Sequence, residues 1–165
     1  MFRFIFQFGA ASAVFLFSSL VAWYEGSALL DHPSEWRTST PITQLVHGTV
    51  HVSSQISQWD FFVYAAKYEP TFPMIMTVSG LYFLIFLGYY IFKKVRKWYA
   101  YYLFSISSFL FLLGYFCYES TTEGAQKMFV LFSGCGLFCM LIGFINYLLA
   151  TIRMKRRQQI EVREF

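Results

Sequence analysis

At 165 residues, 57% of them hydrophobic and 13% charged, with 21 Phe, the chain carries more apolar surface than a soluble fold of this size can hide. The formal net charge of +4 does not mark a nucleic-acid binder, because ten of the thirteen Lys and Arg fall in three short stretches rather than along a groove-sized patch. Those stretches are Arg3, the run Lys93-Lys94-Val95-Arg96-Lys97, and the tail Arg153, Lys155, Arg156, Arg157 and Arg163. Between them lie four long runs without Asp, Glu, Lys, Arg or His. The pattern predicts an all-α integral membrane protein, one membrane domain with four transmembrane helices and one large outer loop.

The first span is expected over residues 4–24, about 31 Å as a helix and long enough for a hydrocarbon core. It is read as a retained anchor, since Leu20 stands where a signal-peptide cleavage site wants a small residue. Gly9 and Ala13 form a small-xxx-small pair suited to helix packing. The outer loop follows over residues 25–71 and holds Glu25, Asp31, Glu35, Asp60 and Glu69. Its first part, with Pro33 and Pro41 among Ser and Thr, reads as irregular chain, and Gly48 to Val52 alternates briefly like a short strand. From Ser54 to Lys67 the apolar residues Ile56, Trp59, Phe62, Val63 and Ala66 recur at helical spacing, capped by Ser53 or Ser54 and stopped before Glu69-Pro70. That face is expected either to lie in the membrane interface or to pack on the bundle.

The second and third spans are expected over residues 72–92 and 98–118, joined by a hairpin too short for anything but antiparallel neighbours. Lys93, Lys94, Arg96 and Lys97 in that hairpin are candidate contacts for anionic headgroups. The fourth span covers residues 128–152 and is followed by a cytoplasmic tail, 153–165, in which Arg153, Lys155, Arg156 and Arg157 are the same kind of candidate. Gly136, Cys139, Gly143 and Asn146 share a face of that span. Small side chains there let a neighbouring backbone approach, and the amide is expected to bond across the contact.

With both ends in the cytoplasm, ten Lys and Arg lie inside and only Arg37, Lys67 and Lys127 outside. No charge falls within a span, so an intramembrane carboxylate relay is not expected. Cys135 and Cys139 are four apart and do not form a C-x-x-C pair, and Cys117 has no evident partner. His32, His47 and His51 all lie in the outer loop. His47 and His51 would share a face if helical, which makes the three a weak candidate metal set, although Gly48 between them argues for a turn. There is no phosphate loop, no H-E-x-x-H, no G-x-S-x-G and no histidine in a span for haem, so no cofactor is expected.

The exit of the first helix, Trp23-Tyr24-Glu25-Gly26-Ser27, followed by Asp31-His32-Pro33 and Glu35-Trp36, resembles short uncharacterised multi-pass membrane proteins of Bacillus-like bacteria. The resemblance implies a bacterial plasma membrane and carries no activity. The expected function is a non-enzymatic membrane subunit or regulator acting through its outer loop and membrane helix faces. Its expected partners are lipids and either another membrane protein or a second copy of itself. The alternatives are an accessory subunit of a transport complex and a membrane enzyme with its site in the outer loop.

Overall fold

The computed structural model describes residues 2–93 and 95–163, with side chains described for 6–93 and 95–154. Seven α-helices are present among the described residues: α1 Phe2–Gly26, α2 Trp36–Ser39, α3 Pro41–His47, α4 Gln58–Tyr68, α5 Thr71–Phe92, α6 Arg96–Tyr118 and α7 Glu123–Arg163. Short 3-10 turns cover Ser27–Asp31, Pro33–Glu35 and Ser53–Gln55. Four segments, Phe6–Asp31, Thr71–Phe92, Arg96–Tyr118 and Glu123–Met154, are long and apolar enough to cross a membrane. The protein is an all-α, multi-pass membrane protein. At 41 residues, α7 is about 61 Å long, roughly twice a hydrocarbon core, so part of it extends beyond the lipid.

The chain divides into two compact units, Met1–Phe83 with Cys117–Phe129, and Leu84–Phe116 with Val130–Phe165. The first contains the whole long loop, and α4 makes its main packing there against α1. Gly26, the last residue of α1, touches the α4 backbone so closely that an added Cβ would stand 2.0 Å from the Phe61 carbonyl oxygen. Ser18, Ala22 and Gly26 recur every four residues and are all buried, a stripe of small residues along one face of α1. Farther along α4, the Lys67 and Ala66 carbonyl oxygens crowd Gly124 in the first turn of α7, at 2.2 and 2.8 Å from a built Cβ. There the open carbonyl end of one helix meets the positive end of another. Phe8 with Phe83 and Phe17 with Phe72 join α1 to α5.

In the second unit α6 and α7 form a tight seam. Ala100, Leu103, Ser107 and Leu110 on α6 are buried, as are Gly136, Cys139, Gly143 and Ala150 on α7. The Ser107 hydroxyl donates to the Gly136 carbonyl at 2.8 Å. A Cβ on Gly143 would meet the Phe104 ring at 3.3 Å, Leu103 Cβ at 3.4 Å and the Ala100 carbonyl oxygen at 3.5 Å. The α5 segment of this unit is held by Tyr102, whose hydroxyl donates to the Leu84 carbonyl at 3.0 Å while its ring lies on Gly88.

Several expectations are corrected here. Pro33 and Pro41 each open a helical turn: proline has no N–H to lose at a first helical position, and its fixed φ suits the start. Residues 48–52 form no strand; Gly48, at φ 74°, ends α3 and turns the chain. The loop helix starts at Gln58 rather than Ser54, with Ser57 as its cap, accepting from the Trp59 N–H. Among the described residues Asn146 forms no bond across a helix contact. Its amide donates to the Ile142 carbonyl of its own helix at 2.9 Å. Gly9 and Ala13 are exposed, and among the described residues no atom lies within 4 Å of a Cβ built on Gly9.

Candidate functional site: the loop unit

A buried polar network lies between α3 and α4. Asp60, in the first turn of α4, has no solvent exposure. Its carboxylate accepts from the N–H groups of Ile42 and Thr43, both at 2.9 Å, and from the Thr43 hydroxyl. The first-turn N–H groups of a helix have no partner within it, so a carboxylate from elsewhere serves as the cap of α3. Thr43 Oγ1 in turn accepts from the Ser57 N–H at 2.8 Å. The start of α3 and the start of α4 are thereby tied through one threonine and one aspartate, and both helix ends favour the negative charge placed between them.

A second tie joins the far end of α4 to the turn before α2. The Tyr68 hydroxyl donates to Glu35 Oε2, which also accepts from the Thr38 hydroxyl at 3.2 Å, and Lys67 Nζ donates to the Thr38 carbonyl. The bond from Tyr68 is the main reason that Glu35 is held below the ordinary carboxylate range. Burial, and then the same bond, push Tyr68 up to about 12. Desolvation lowers Lys67, and the nearby Glu35 charge partly offsets this. Beneath these ties Leu29, Ile56, Phe61 and Tyr64 form a small apolar core, with Ala28, Trp36 and Val50 packed against it. The Trp36 indole N–H donates to the Leu29 carbonyl at 2.9 Å, and Gln44 donates to the carbonyls of Trp36 and Arg37, the first two residues of α2.

The face expected on α4 divides. Ile56 lies before the helix, in the loop core; Phe62 and Val63 are half-buried; Trp59 is 69% exposed. The side of α4 that is fully covered carries Asp60, Phe61, Tyr64 and Ala65 instead. On α3, Ile42, Leu45 and Val46 point outward and are exposed. The three histidines are not brought together as a ligand set. His32 is bonded through Nδ1 to the Ala28 carbonyl and stacks on Tyr64, His47 ends α3, and His51 faces Thr49. Among the described residues no group of three or more His, Cys, Asp or Glu side chains converges to hold a metal ion. Cys117, Cys135 and Cys139 are free thiols.

Of the basic candidates, Lys93, Arg96 and Arg153 are exposed and Lys97 is half-buried, while Lys93 lies 4.6 Å from the Tyr90 ring centre. Lys94 and the side chains of Lys155, Arg156 and Arg157 lie outside the described residues. Sequence reasoning missed Asp60, Thr43, Gly26 and the Glu35–Tyr68 pair. A signal existed for two of them. Thr40-Pro41 has the form of a helix start, and Ser18-xxx-Ala22-xxx-Gly26 repeats small residues at the spacing of a packing face.

Four apolar helices and an ordered polar loop unit define a multi-pass membrane protein without an evident catalytic metal or cysteine motif among its described residues. Residues 5–92 match a family described as a domain of unknown function (DUF4306), and the chain belongs to that family. The matched region runs from α1 through α5, the long loop with the two spans that frame it. The uncharacterized protein YjdJ of Bacillus subtilis (strain 168) is 42% identical over 80 residues, which make up 47% of this chain and 73% of that protein. No solved structure matches the chain.

Proposed function

We propose that the protein is a non-enzymatic subunit or regulator of the bacterial plasma membrane, acting on another membrane protein through its loop unit. The carrying observation is that the family match coincides with the loop unit and the two spans around it, which supports the loop unit as the part through which the protein acts. The Asp60 clamp supports the reading, because it holds α3 with Ile42, Leu45 and Val46 turned outward as an uncharged contact face. The α7 face with Gly136 and Gly143 is taken up by α6 and is not free for a partner.

The termini are assigned to the cytoplasm by the ten-to-three division of Lys and Arg. In that orientation Lys93, Arg96, Lys97 and Arg153 meet the anionic inner leaflet. The test is a photo-crosslinking residue at Leu45 in the native membrane, with the same residue at Ser34 as control. One recurrent adduct from Leu45, absent from Ser34 and lost when Asp60→Ala releases α3, is expected. Adducts at Leu45 that match those at Ser34, or that survive Asp60→Ala unchanged, would remove the loop face as the contact surface. Labelling of a cysteine introduced at Gln158 from outside intact cells would reverse the orientation.

A further inference from the structure

We infer that the outward side of α4, carrying Trp59, Phe62 and Val63, is seated in the phospholipid headgroup region on the loop side of the bilayer. The inference starts from the charges of α4. The helix has two, and both are turned inward: Asp60 is fully buried against α3, and Lys67 is half-buried and donates to the Thr38 carbonyl. The side left over is uncharged. On it the Trp59 and Phe62 rings lie 6.3 Å apart, and Trp59 is the most exposed aromatic of the helix. A loop helix facing bulk water would normally carry its charges outward; here they are withdrawn.

Position selects lipid over a protein as the occupant. Through Gly26 and Phe61, α4 is pinned to the end of a membrane span, and only Glu69 and Pro70 separate it from α5, itself a span. Leu20, Trp23 and Tyr24, on the part of α1 next to Gly26, are also exposed, so the lipid-facing surface of α1 continues to the level where α4 begins. Tryptophan is favoured at that depth because its ring is apolar and its N–H remains within reach of headgroups and water. The same helix thus closes the loop core with one side and meets the membrane with the other.

The experiment uses the full chain in phosphatidylcholine–phosphatidylglycerol vesicles, with bromines placed at a shallow or a deep acyl position. The Trp59 signal is taken as the difference between the native chain and Trp59→Phe, which leaves the other three tryptophans in place. Shallow bromines are expected to quench this difference signal at least about twofold more than deep ones, with iodide quenching incomplete. Full quenching by iodide with none by either lipid would place Trp59 in water and overturn the inference. Protection from iodide and from both lipids would show it covered by protein, a second copy or a partner, and would overturn it equally.

Discussion

Between α3 and α4 a buried carboxylate takes three donors, while between α6 and α7 a hydroxyl–carbonyl bond sits where Gly136, Cys139 and Gly143 leave room for the larger side chains of α6. The two regions solve different problems. A short helix in a loop begins with unpaired N–H groups and too little length to stand alone, so it needs a polar partner from elsewhere in the chain. A long membrane helix satisfies its own backbone and gains little from burying one apolar side chain instead of another, so it needs close approach. Order in the loop unit therefore rests on a few irreplaceable polar atoms, and order in the α6–α7 seam on the absence of bulk.

The largest test of this contrast is Asp60→Ala. It removes the cap of α3 and leaves the Thr43 N–H and hydroxyl without their acceptor, a loss of about 2–4 kcal/mol to the loop unit. Hydrogen exchange should show residues 41–47 and 57–60 losing protection, while α6 and α7 keep theirs. Asp60→Asn retains an acceptor and is expected to lose less. If protection falls equally throughout the chain, the two regions are not separate in chemistry.

Gly26→Ala comes next. The added Cβ would meet the Phe61 carbonyl oxygen, carbon and Cα at 2.0, 2.5 and 2.8 Å, all backbone atoms that cannot swing aside. Displacing α4 from α1 should destabilise the loop unit by about 1–3 kcal/mol, read as a lower unfolding temperature in detergent. An unchanged temperature would mean that α4 is not pinned there.

How much of this could be read beforehand follows from the same contrast. The four spans were legible because charge is excluded from lipid and marks the ends of every segment that crosses it. On α7, Gly136 and Gly143 lie against Phe111 and against Phe104 and Leu103, and small residues at such spacing leave a direct trace in the sequence. Asn146 misled for a local reason: an amide in a helix reaches the carbonyl four residues back as readily as a neighbour. The loop was harder. Apolar periodicity drew attention to Trp59, Phe62 and Val63, yet the covered side of α4 is set by Asp60, Phe61, Tyr64 and Ala65, where a charged residue breaks the apolar pattern. A buried aspartate is indistinguishable from a solvated one until the donors around it, 17 and 18 residues away, are in place.

The seam has its own test, with a control on the same helix. Gly143→Leu must push against Phe104, Leu103 and the Ala100 carbonyl, whereas a Cβ on Gly134 has no atom within 4 Å. Some of those neighbours are side chains that can shift, so about 1–2 kcal/mol is expected at Gly143 and almost none at Gly134, measured by thermal unfolding in detergent. Equal effects at both positions would mean that α7 is sensitive to bulk everywhere and that the seam is no special contact.

The smallest effect is expected at the second polar tie, through its pH dependence. Glu35 sits below its ordinary value because Tyr68 donates to it, so its contribution to order is present above the usual carboxylate range and is lost as pH falls through the lowered value. Tyr68 is raised from its usual 10.0 to about 12, first by burial and then by the same bond. Its contribution is complete below the usual tyrosine range and is lost as pH rises toward the shifted value. The tie is therefore at full strength across neutral pH and weakens on both sides. Tyr68→Phe deletes the donor while keeping the ring against Tyr64, 4.6 Å away, so packing survives and the largest part of the pH dependence does not. Amide exchange in residues 35–40, corrected for its intrinsic pH dependence, should speed up about two- to fivefold at pH 7 in the variant. It should also lose part of the further acceleration that acid produces in the native chain, the rest being kept by the Thr38 hydroxyl and Lys67 beside Glu35. Because Glu35 is only half-buried, solvent screens much of the interaction, which is why this tie ranks below the buried aspartate. A variant that matched the native chain at pH 7 would leave Asp60 as the polar contact that orders the loop.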